Sequence, residues 1–446
     1  MSHLTQLEPA KPSNFDAHHP PSKELISDCV HCGFCLPACP TYVLWGDEMD
    51  SPRGRIYMMK KTLEGQAPLD QTFGLHMDNC LGCMACMTAC PSGVQYGKLI
   101  EETRAQVERN IPRPTSDSLF RKLLFAIFPY ASRLRVIAIP TLVYQRSGLQ
   151  TLVRRSGILG SLPARLAAME SLLPRVPNNP FRGLPEHTAP AGEQRQRVGM
   201  LAGCVQQVFF QHVNEATARV LAAEGFEVVI PPSQGCCGAL MVHSGLEPEA
   251  LDFARKIIAS FEAANVDTIV INAAGCGSTM KDYGYMLRDD PAWAARAAAF
   301  SARCKDISEI LCDFPARSTR HPIRMRVAYH DACHLRHAQS VFEQPRRLLA
   351  GIPGLEVVEV EEASLCCGSA GVYNLLNPET ANQLGDRKVE NLLAAKADAV
   401  ISANPGCLLQ LKSGLSRRGI QTMPTYHMVE LLDASIRNVS LTGHES

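Results

Sequence analysis

The chain has 446 residues, with 44 Lys and Arg against 44 Asp and Glu, so its formal net charge at pH 7 is zero. This balance gives no indication of nucleic acid as a partner, and an apolar content of 46% is typical of a globular protein with a sizeable core. At about 100–200 residues per domain, the length predicts two or three domains.

Residues 1–22 are rich in Pro, Ser and His and are predicted to form a loose N-terminus. The segment has no apolar h-region and no small-residue cleavage site, so we do not expect a signal peptide. A cytoplasmic setting would keep the eighteen cysteines reduced, and clustered cysteines there are more typical of metal binding than of disulfides.

Two cysteine blocks repeat one spacing. "CVHCGFCLPACPTY" begins at Cys29 and "CLGCMACMTACPSG" begins at Cys80; both read C-x2-C-x2-C-x3-C-P. In bacterial two-cluster ferredoxins, the fourth cysteine of such a run ligates the other cluster. The spacing therefore predicts two [4Fe–4S] clusters. We assign to the first Cys29, Cys32, Cys35 and Cys90, and to the second Cys80, Cys83, Cys86 and Cys39.

Structural zinc and a disulfide framework are the alternatives for these blocks. Zinc sites usually draw on paired C-x2-C motifs, which two triplet-plus-one runs match poorly.

Gly33 and Gly82 are predicted to supply the left-handed turns of the loops. Clusters held by four thiolates each have no open position, so this module is expected to carry electrons and not to transform a substrate.

We place the ferredoxin-like domain at residues 23–110, with a helix between the two blocks that begins near Ser51 and Pro52. The basic side chains of this helix indicate either a solvated face or a docking surface for a redox partner. They are Arg53, Arg55, Lys60 and Lys61.

Residues 111–196 are predicted to form a basic helical linker. Residues 111–184 contain eleven Lys and Arg and two acidic residues, which gives a net charge of +9. Charges together with Pro129 and Pro140 interrupt the apolar runs, so no single helix is expected to span a bilayer. A basic amphipathic segment can lie on a membrane or pack on a partner; a plain helical connector over the core is the alternative.

An internal repeat begins at Arg197, and we divide it into residues 197–320 and 321–446. Each copy reads strand, cysteine, helix, strand, Cys-Cys-Gly, helix, strand, cysteine. Alternating strands and helices predict an α/β fold with a parallel sheet, whose cysteine loops lie at the carboxyl ends of strands. The predicted class is therefore a multidomain α+β and α/β protein: a helical two-cluster module, a basic linker and two Cys-Cys-Gly domains.

Four cysteines recur in each copy, 32 or 33 residues and then 39 or 40 residues apart. This recurrence predicts metal or redox function, and buried packing roles are the alternative. These candidate ligands of further iron–sulfur clusters are Cys204, Cys236, Cys237 and Cys276 in the first copy, and Cys333, Cys366, Cys367 and Cys407 in the second.

Other cysteines and histidines are weaker signals. Cys304 and Cys312 fall outside the repeat and are interpreted as ordinary buried thiols. A histidine near a cluster can tune it through hydrogen bonds, and a structural histidine is an equally good interpretation. The histidines in question are His330, His334 and His337 around Cys333, and His427.

Several segments of the chain resemble the iron–sulfur subunits of glycolate oxidase. They are both cysteine blocks, "GDEMDSPRGRIYMMK", "NEATARVL", "GCCGA" and "LCCGSAG". Related groups are the small subunit of anaerobic glycerol-3-phosphate dehydrogenase, lactate-utilisation subunits and the B-type chain of heterodisulfide reductase. The resemblance runs from about Leu25 to the C-terminus. It implies a complex in which a flavin subunit oxidises glycolate to glyoxylate, a second flavoprotein-like subunit assists, and this chain passes electrons on, to the quinone pool or another acceptor.

One departure from the wider Cys-Cys-Gly pattern matters. That pattern ends each repeat with C-x-x-C, but the first position of the pair is Ala273 in one copy and Asn404 in the other. The heterodisulfide reductase type uses five thiolates for a noncubane cluster, and four remain here. A conventional four-thiolate cluster and an empty site both stay open, and disulfide chemistry is not favoured.

No catalytic residue is predicted, because we find no flavin motif and no G-x-G-x-x-G followed by an acidic residue. The leading hypothesis is thus an electron-transfer subunit with flavin-containing partner subunits and a quinone or membrane acceptor. We expect it in the cytoplasm, and peripheral contact with the cytoplasmic face of the inner membrane is left open. Competing hypotheses are a catalytic reductase of the heterodisulfide type, a subunit of another 2-hydroxy acid or glycerol-3-phosphate dehydrogenase, and a scaffold with structural zinc.

Overall fold

A computed structural model of the chain describes residues 12–441. They fall into two compact units. The first runs to Pro114 and includes His243–Leu246, and the second comprises Thr115–Val242 and the rest of the chain from Glu247.

The first unit is helical, in agreement with the expected ferredoxin-like module. The side chains of Met59, Met77 and Leu99 are fully buried in its core. Helix α3 begins at the predicted place, because the Ser51 hydroxyl accepts a hydrogen bond from the Gly54 N–H at 3.0 Å. The helices are α1 Lys23–Ser27, α2 Pro40–Trp45, α3 Pro52–Leu63, α4 Gln71–Asn79, α5 Ala85–Thr88 and α6 Tyr96–Asn110, with a 3-10 turn at Glu48–Asp50.

The start of the described chain is held against α6, which corrects the expectation of a loose segment for residues 12–22. Phe15 is buried, and its ring contacts that of Phe73 edge to face. The Asp16 carboxylate accepts hydrogen bonds from Arg109, Asn110 and the Gln106 amide. A local charge cluster that composition does not reveal therefore fixes this part; residues 1–11 lie outside the described residues.

The second unit opens with the helical linker. Its helices are α7 Thr115–Ile127, α8 Ala131–Arg146, α9 Leu149–Arg155 and α10 Ala164–Ser171, with a 3-10 turn at Ile158–Ser161. Pro140 lies inside α8, where Val136 and Pro140 are exposed and water can satisfy the backbone carbonyl that proline leaves free. Within residues 12–441 no helix alone is long and apolar enough to cross a bilayer, and α7 and α8 reach that length only as a pair bent by 102°.

The two repeats carry one sheet each, as the α/β prediction required. The first sheet has the order β1-β3-β2-β4-β5, and the second has the order β7-β6-β8-β9. All pairings are parallel except that of β1 with β3. The strands are β1 His187–Thr188, β2 Gln196–Met200, β3 Phe226–Val229, β4 Thr268–Ile271, β5 Cys304–Asp306, β6 Met325–His330, β7 Leu355–Val358, β8 Ala399–Ser402 and β9 Thr425–His427.

Helices between these strands bury one shared core. Val198, Val327 and Leu432 belong to the same apolar cluster, so the repeats pack on each other. The longer helices are α12 Gln211–Ala223, α14 Glu247–Ala263, α15 Ala274–Lys281, α17 Ala294–Ala302, α18 Ile307–Asp313, α19 Glu343–Ala350, α21 Pro378–Ala394, α22 Pro405–Arg417 and α23 Met428–Arg437. Single turns are α11 Gln206–Phe209, α13 Ala239–Val242, α16 Tyr283–Met286, α20 Tyr373–Leu376 and a π-helical turn at His334–Ala338.

Candidate metal centres

The cysteines predicted for the first cluster line one solvent-open cavity, and Cys86 of the second predicted set also reaches it. Cys29, Cys32 and Cys35 come from the loop before α2, and Cys90 comes from the second block. The pKa of the Cys29 thiol is raised, chiefly by burial and then by the neighbouring thiols of Cys90 and Cys32. The fourth cysteine of one run thus stands beside the first three of the other, and Cys32 is exposed.

The cysteines predicted for the second cluster lie deeper. Cys39, Cys80, Cys83 and Cys86 are all buried. Burial raises the pKa of the Cys86 thiol far above its usual value, and the thiols of Cys83, Cys80 and Cys39 add to the effect. The two sets therefore differ in exposure, with the first at the surface and the second inside.

Both loops use the same backbone conformations to present sulfur. In the first loop, φ is positive at His31 (+55°) and at Gly33 (+86°). The corresponding residues of the second loop, Gly82 (+63°) and Met84 (+62°), also have a positive φ. These turns direct amide groups at sulfur: the Gly82 N–H lies 3.4 Å from Cys80 Sγ. The donor set of four thiols per site with amide N–H groups nearby fits an iron–sulfur cube, and all eighteen cysteines are free of disulfides.

Arg55 is a functional residue that the sequence interpretation missed. Its side chain is fully buried on α3, so it is not part of a solvated basic face as expected. It donates to the Asp50 carboxylate at 2.8 Å and to the His76 carbonyl at 2.7 Å. Although burial opposes ionisation, Arg55 and Arg104 hold the pKa of the Cys80 thiol below its usual value. The pattern of four basic residues on one helix carried no signal that one of them points inward.

The first Cys-Cys-Gly site brings together the four predicted cysteines of its repeat at the carboxyl ends of β2, β3 and β4. Cys204 Sγ lies 3.6 Å from Cys236 Sγ. Cys237 in turn contacts both Cys236 and Cys276. The Gly238 N–H approaches Cys236 Sγ at 3.4 Å, as the loop amide does in the first unit.

The second Cys-Cys-Gly site repeats this arrangement. Cys333 Sγ lies 3.9 Å from Cys366 Sγ, and Cys367 contacts Cys366 and Cys407. Asn404, which replaces the expected cysteine, donates its side-chain N–H to Cys407 Sγ at 3.3 Å. Unlike the first site, this site also contains imidazole groups.

His330 and His334 are those imidazoles. A ring nitrogen of His330 and the sulfurs of Cys367 and Cys407 all lie within 4.8 Å of one another, and His334 Nδ1 lies 3.5 Å from Cys333 Sγ. His337 instead contacts the Ser364 carbonyl at 3.0 Å. Comparison of the two repeats would have singled out His330, because the equivalent residue of the first repeat is Leu201.

The remaining predicted residues have structural positions. His427 is fully buried, begins α23 and contacts the Asn272 carbonyl at 3.0 Å; burial lowers its pKa to about 4. Cys304 is buried in β5, as expected. Cys312 is only half-buried, which differs from the expected buried thiol, because it lies near the end of α18.

Three known sequence families match consecutive parts of the chain. Residues 28–94 match a 4Fe-4S dicluster domain. Residues 116–173 match the linker region of the glycolate oxidase iron–sulfur subunit. Residues 198–281 and 327–412 each match a cysteine-rich domain. These matches confirm the predicted order of cluster module, linker and two Cys-Cys-Gly domains.

Two relatives match over nearly the whole chain. The probable glycolate oxidase iron–sulfur subunit of Bacillus subtilis is 41% identical over 91% of this chain and 93% of its own. The glycolate oxidase iron–sulfur subunit of Escherichia coli is 34% identical over 92% and 94%. A shorter match is to one subunit of the CoM/CoB fumarate reductase of Methanothermobacter marburgensis, which is 37% identical over 53% of this chain and 46% of its own.

Full-length similarity, the matching linker and the two sets of thiols that the structure brings together point the same way. The linker carries particular weight, because it lies outside the cysteine motifs that many electron-transfer proteins share. The chain belongs to the family of glycolate oxidase iron–sulfur subunits.

Proposed function

We propose that the chain is the electron-transfer subunit of a glycolate-oxidising complex, an oxidoreductase in which the glycolate-binding site lies on another subunit. The observation that carries the proposal is the exchange of the fourth cysteine: Cys90 stands with Cys29, Cys32 and Cys35 at one cavity. When bound, two [4Fe–4S] clusters would accept and release single electrons there.

The residues around the two sets support a direction for this transfer. The first set lies at an open cavity rimmed by exposed Val30 and Phe34, where a partner can approach. The second set is enclosed, and Arg55 and Arg104 place buried positive charge beside Cys80. A flavin-containing subunit is the donor that fits the exposed first set, and a quinone or another membrane acceptor is the destination.

Apolar residues that remain exposed on the linker support peripheral contact with a membrane. Val136, Ile139 and Val143 lie on one face of α8 at helical spacing. The exposed large apolar residues of the linker are Leu119, Leu123, Tyr130, Val136, Ile137, Ile139, Val143, Leu149, Leu152, Ile158, Leu162, Leu166 and Phe181. Because the segment also has a net charge of +9, an anionic lipid surface is the contact it fits.

Anaerobic purification of the chain with its co-purifying subunits tests the function. Iron and sulfide analysis should account for at least two [4Fe–4S] clusters, and EPR of the reduced complex should show both N-terminal clusters. A co-purifying subunit should contain flavin and reduce a dye when glycolate is added. A zinc-containing, iron-free chain, or a complex that does not oxidise glycolate, would contradict the proposal.

A further inference from the structure

The two Cys-Cys-Gly sites have the same thiols but different surroundings. In the first repeat, Leu201 and Ile257 belong to the apolar cluster that contains Cys237. The equivalent positions in the second repeat hold His330 and Lys388, both almost fully buried. Nitrogen-bearing side chains therefore occupy positions at the second site that apolar side chains occupy at the first. Burying them costs desolvation free energy unless they form hydrogen bonds or bind a metal.

His330 is placed to act as a ligand. It ends β6 with 1% of its surface exposed, and its approach to Cys367 and Cys407 within 4.8 Å is the spacing of donors around a metal centre. The His330 side chain also hydrogen-bonds the Cys367 thiol, while its buried Nδ1 has no hydrogen-bond partner among residues 12–441. The ring is therefore already in direct contact with a thiol of this site, as a ligand must be.

We propose that the second Cys-Cys-Gly site holds an iron–sulfur centre with His330 as a nitrogen ligand beside its thiolates, whereas the first site offers thiolates alone. The inference rests on the proposed function, which makes these sites part of an electron-transfer chain. Imidazole is a suitable ligand for iron. With His330 the second site offers five donors, so that the neutral imidazole can take the place of one of the four thiolates; a centre bound in this way has less negative charge and a higher reduction potential.

Lys388 acts in the same direction. It is almost fully buried on α21 and donates a hydrogen bond to the Glu362 carbonyl. In its protonated form this side chain would favour the reduced, more negative form of a centre at the second site. The second site is thus built for a higher potential than the first, and electrons that reach both would reside there.

The test uses the anaerobically purified full chain, labelled with ¹⁵N-histidine or unlabelled, during a stepwise reductive titration followed by EPR and electron–nuclear double resonance. We expect one centre beyond the two N-terminal clusters to show strong coupling to a histidine nitrogen. His330→Leu, which introduces the residue of the first repeat, should abolish that coupling. His330→Cys should keep the iron, abolish the coupling and shift the potential downward. His337→Leu is the matched control, since it removes another buried imidazole of the same segment, and should preserve the coupling.

The outcomes separate this inference from the function it rests on. A third centre without histidine coupling, unchanged in both His330 variants, would overturn the role of His330 and leave the electron-transfer function intact. Zinc at the second site, recognised by X-ray absorption, would also overturn the role of His330. Absence of the two N-terminal clusters from the unaltered chain would instead contradict the proposed function.

Discussion

The Arg55 guanidinium donates to the Asp50 carboxylate at 2.8 Å, and both side chains are buried in the first unit. Arg55 also interacts electrostatically with Cys80 and Cys39, two of the proposed ligands of the second cluster. A buried cation next to thiolate ligands favours the reduced state of a cluster because it offsets the added negative charge. The pair is therefore both a structural connection between α3 and its surroundings and an electrostatic element of the relay.

Removing the buried cation should be costly. Arg55→Met leaves the Asp50 carboxylate without its guanidinium partner, and we expect the free energy of unfolding to fall by about 3–5 kcal/mol. Denaturant titration of the anaerobic chain measures this. Arg53→Met is the matched control, because Arg53 pairs with Glu48 near the surface and should cost about 1 kcal/mol or less. Equal effects of the two variants would contradict a special role for Arg55.

Loss of one ligand of the second cluster should interrupt transfer without stopping glycolate oxidation. Serine oxygen is a poorer ligand than thiolate for iron in such clusters, so Cys83→Ser should lose or alter the second cluster in EPR. We expect the assembled complex to keep its glycolate-dependent reduction of a dye that accepts directly from flavin. Quinone-linked turnover should fall at least about tenfold, which corresponds to about 1.4 kcal/mol.

Cys29→Ser should act in the same way through the first cluster. The double variant should be little worse than either single variant, since both block one path. Cys312→Ser, outside both sets, is the control and should retain both activities. Full quinone-linked turnover in a Cys83→Ser complex that lacks the second cluster would exclude the relay. Size-exclusion chromatography establishes assembly before either activity is compared.

The linker should bind anionic vesicles. Lys122 and Arg155 are exposed, and each basic residue near an anionic surface contributes about 1 kcal/mol, an effect that salt screens. Lys122→Glu combined with Arg155→Glu should weaken sedimentation with phosphatidylglycerol-containing vesicles at least tenfold, and Lys256→Glu on α14 should not. Val136→Ser combined with Val143→Ser should weaken the part of the vesicle binding that persists at high salt. Equal binding to neutral vesicles, or none to anionic ones, would argue for a protein partner instead.

A histidine and a glutamate at the start of α23 should give opposing pH dependence. Burial lowers the pKa of His427 to about 4 and raises that of Glu430 to about 7. The folded state then binds fewer protons at His427 and more at Glu430 than the unfolded state, whose pKa values are about 6.5 and 4.3. Stability from His427 therefore rises with pH between about 4 and 6.5, and stability from Glu430 falls between about 4.3 and 7.

Single variants should separate the pH dependence of stability that His427 causes from the dependence that Glu430 causes. Relative to the unaltered chain, the unfolding midpoint of His427→Asn should fall as pH rises from about 4.5 to 7, because the stability that His427 gains with pH is lost. The midpoint of Glu430→Gln should rise relative to the unaltered chain between about pH 4.3 and 7, because the opposing Glu430 contribution is lost. Denaturant midpoints at several pH values measure both, with the unaltered chain as the control. Parallel curves for all three proteins would show that these two groups do not control the pH dependence.

Much of the architecture was readable from the sequence because its signals are local or repeated. The spacing of the two cysteine blocks predicted a cluster module, and Ser51 with Pro52 marked the start of α3. The recurrence of Cys-Cys-Gly with matching strand and helix patterns predicted two parallel α/β domains, and the strand orders of the two sheets agree apart from the additional antiparallel edge strand β1. Pro140 lies within α8, because an exposed helix turn tolerates a proline that a buried one would not.

The sequence by itself predicted which thiols are candidate iron ligands, because thiol chemistry and short spacing do not depend on distant contacts. Tertiary structure alone decided what surrounds them. Arg55 is one of four basic residues on α3 by sequence, and only packing of α3 against the neighbouring helices turns it inward toward Asp50. His330 lies 37 residues from Cys367 and 77 from Cys407 along the chain. Parallel pairing of β6 with β8 brings His330 opposite Ser402, close to the loops that carry those thiols, and such a meeting of distant segments is set by the fold and not by local spacing.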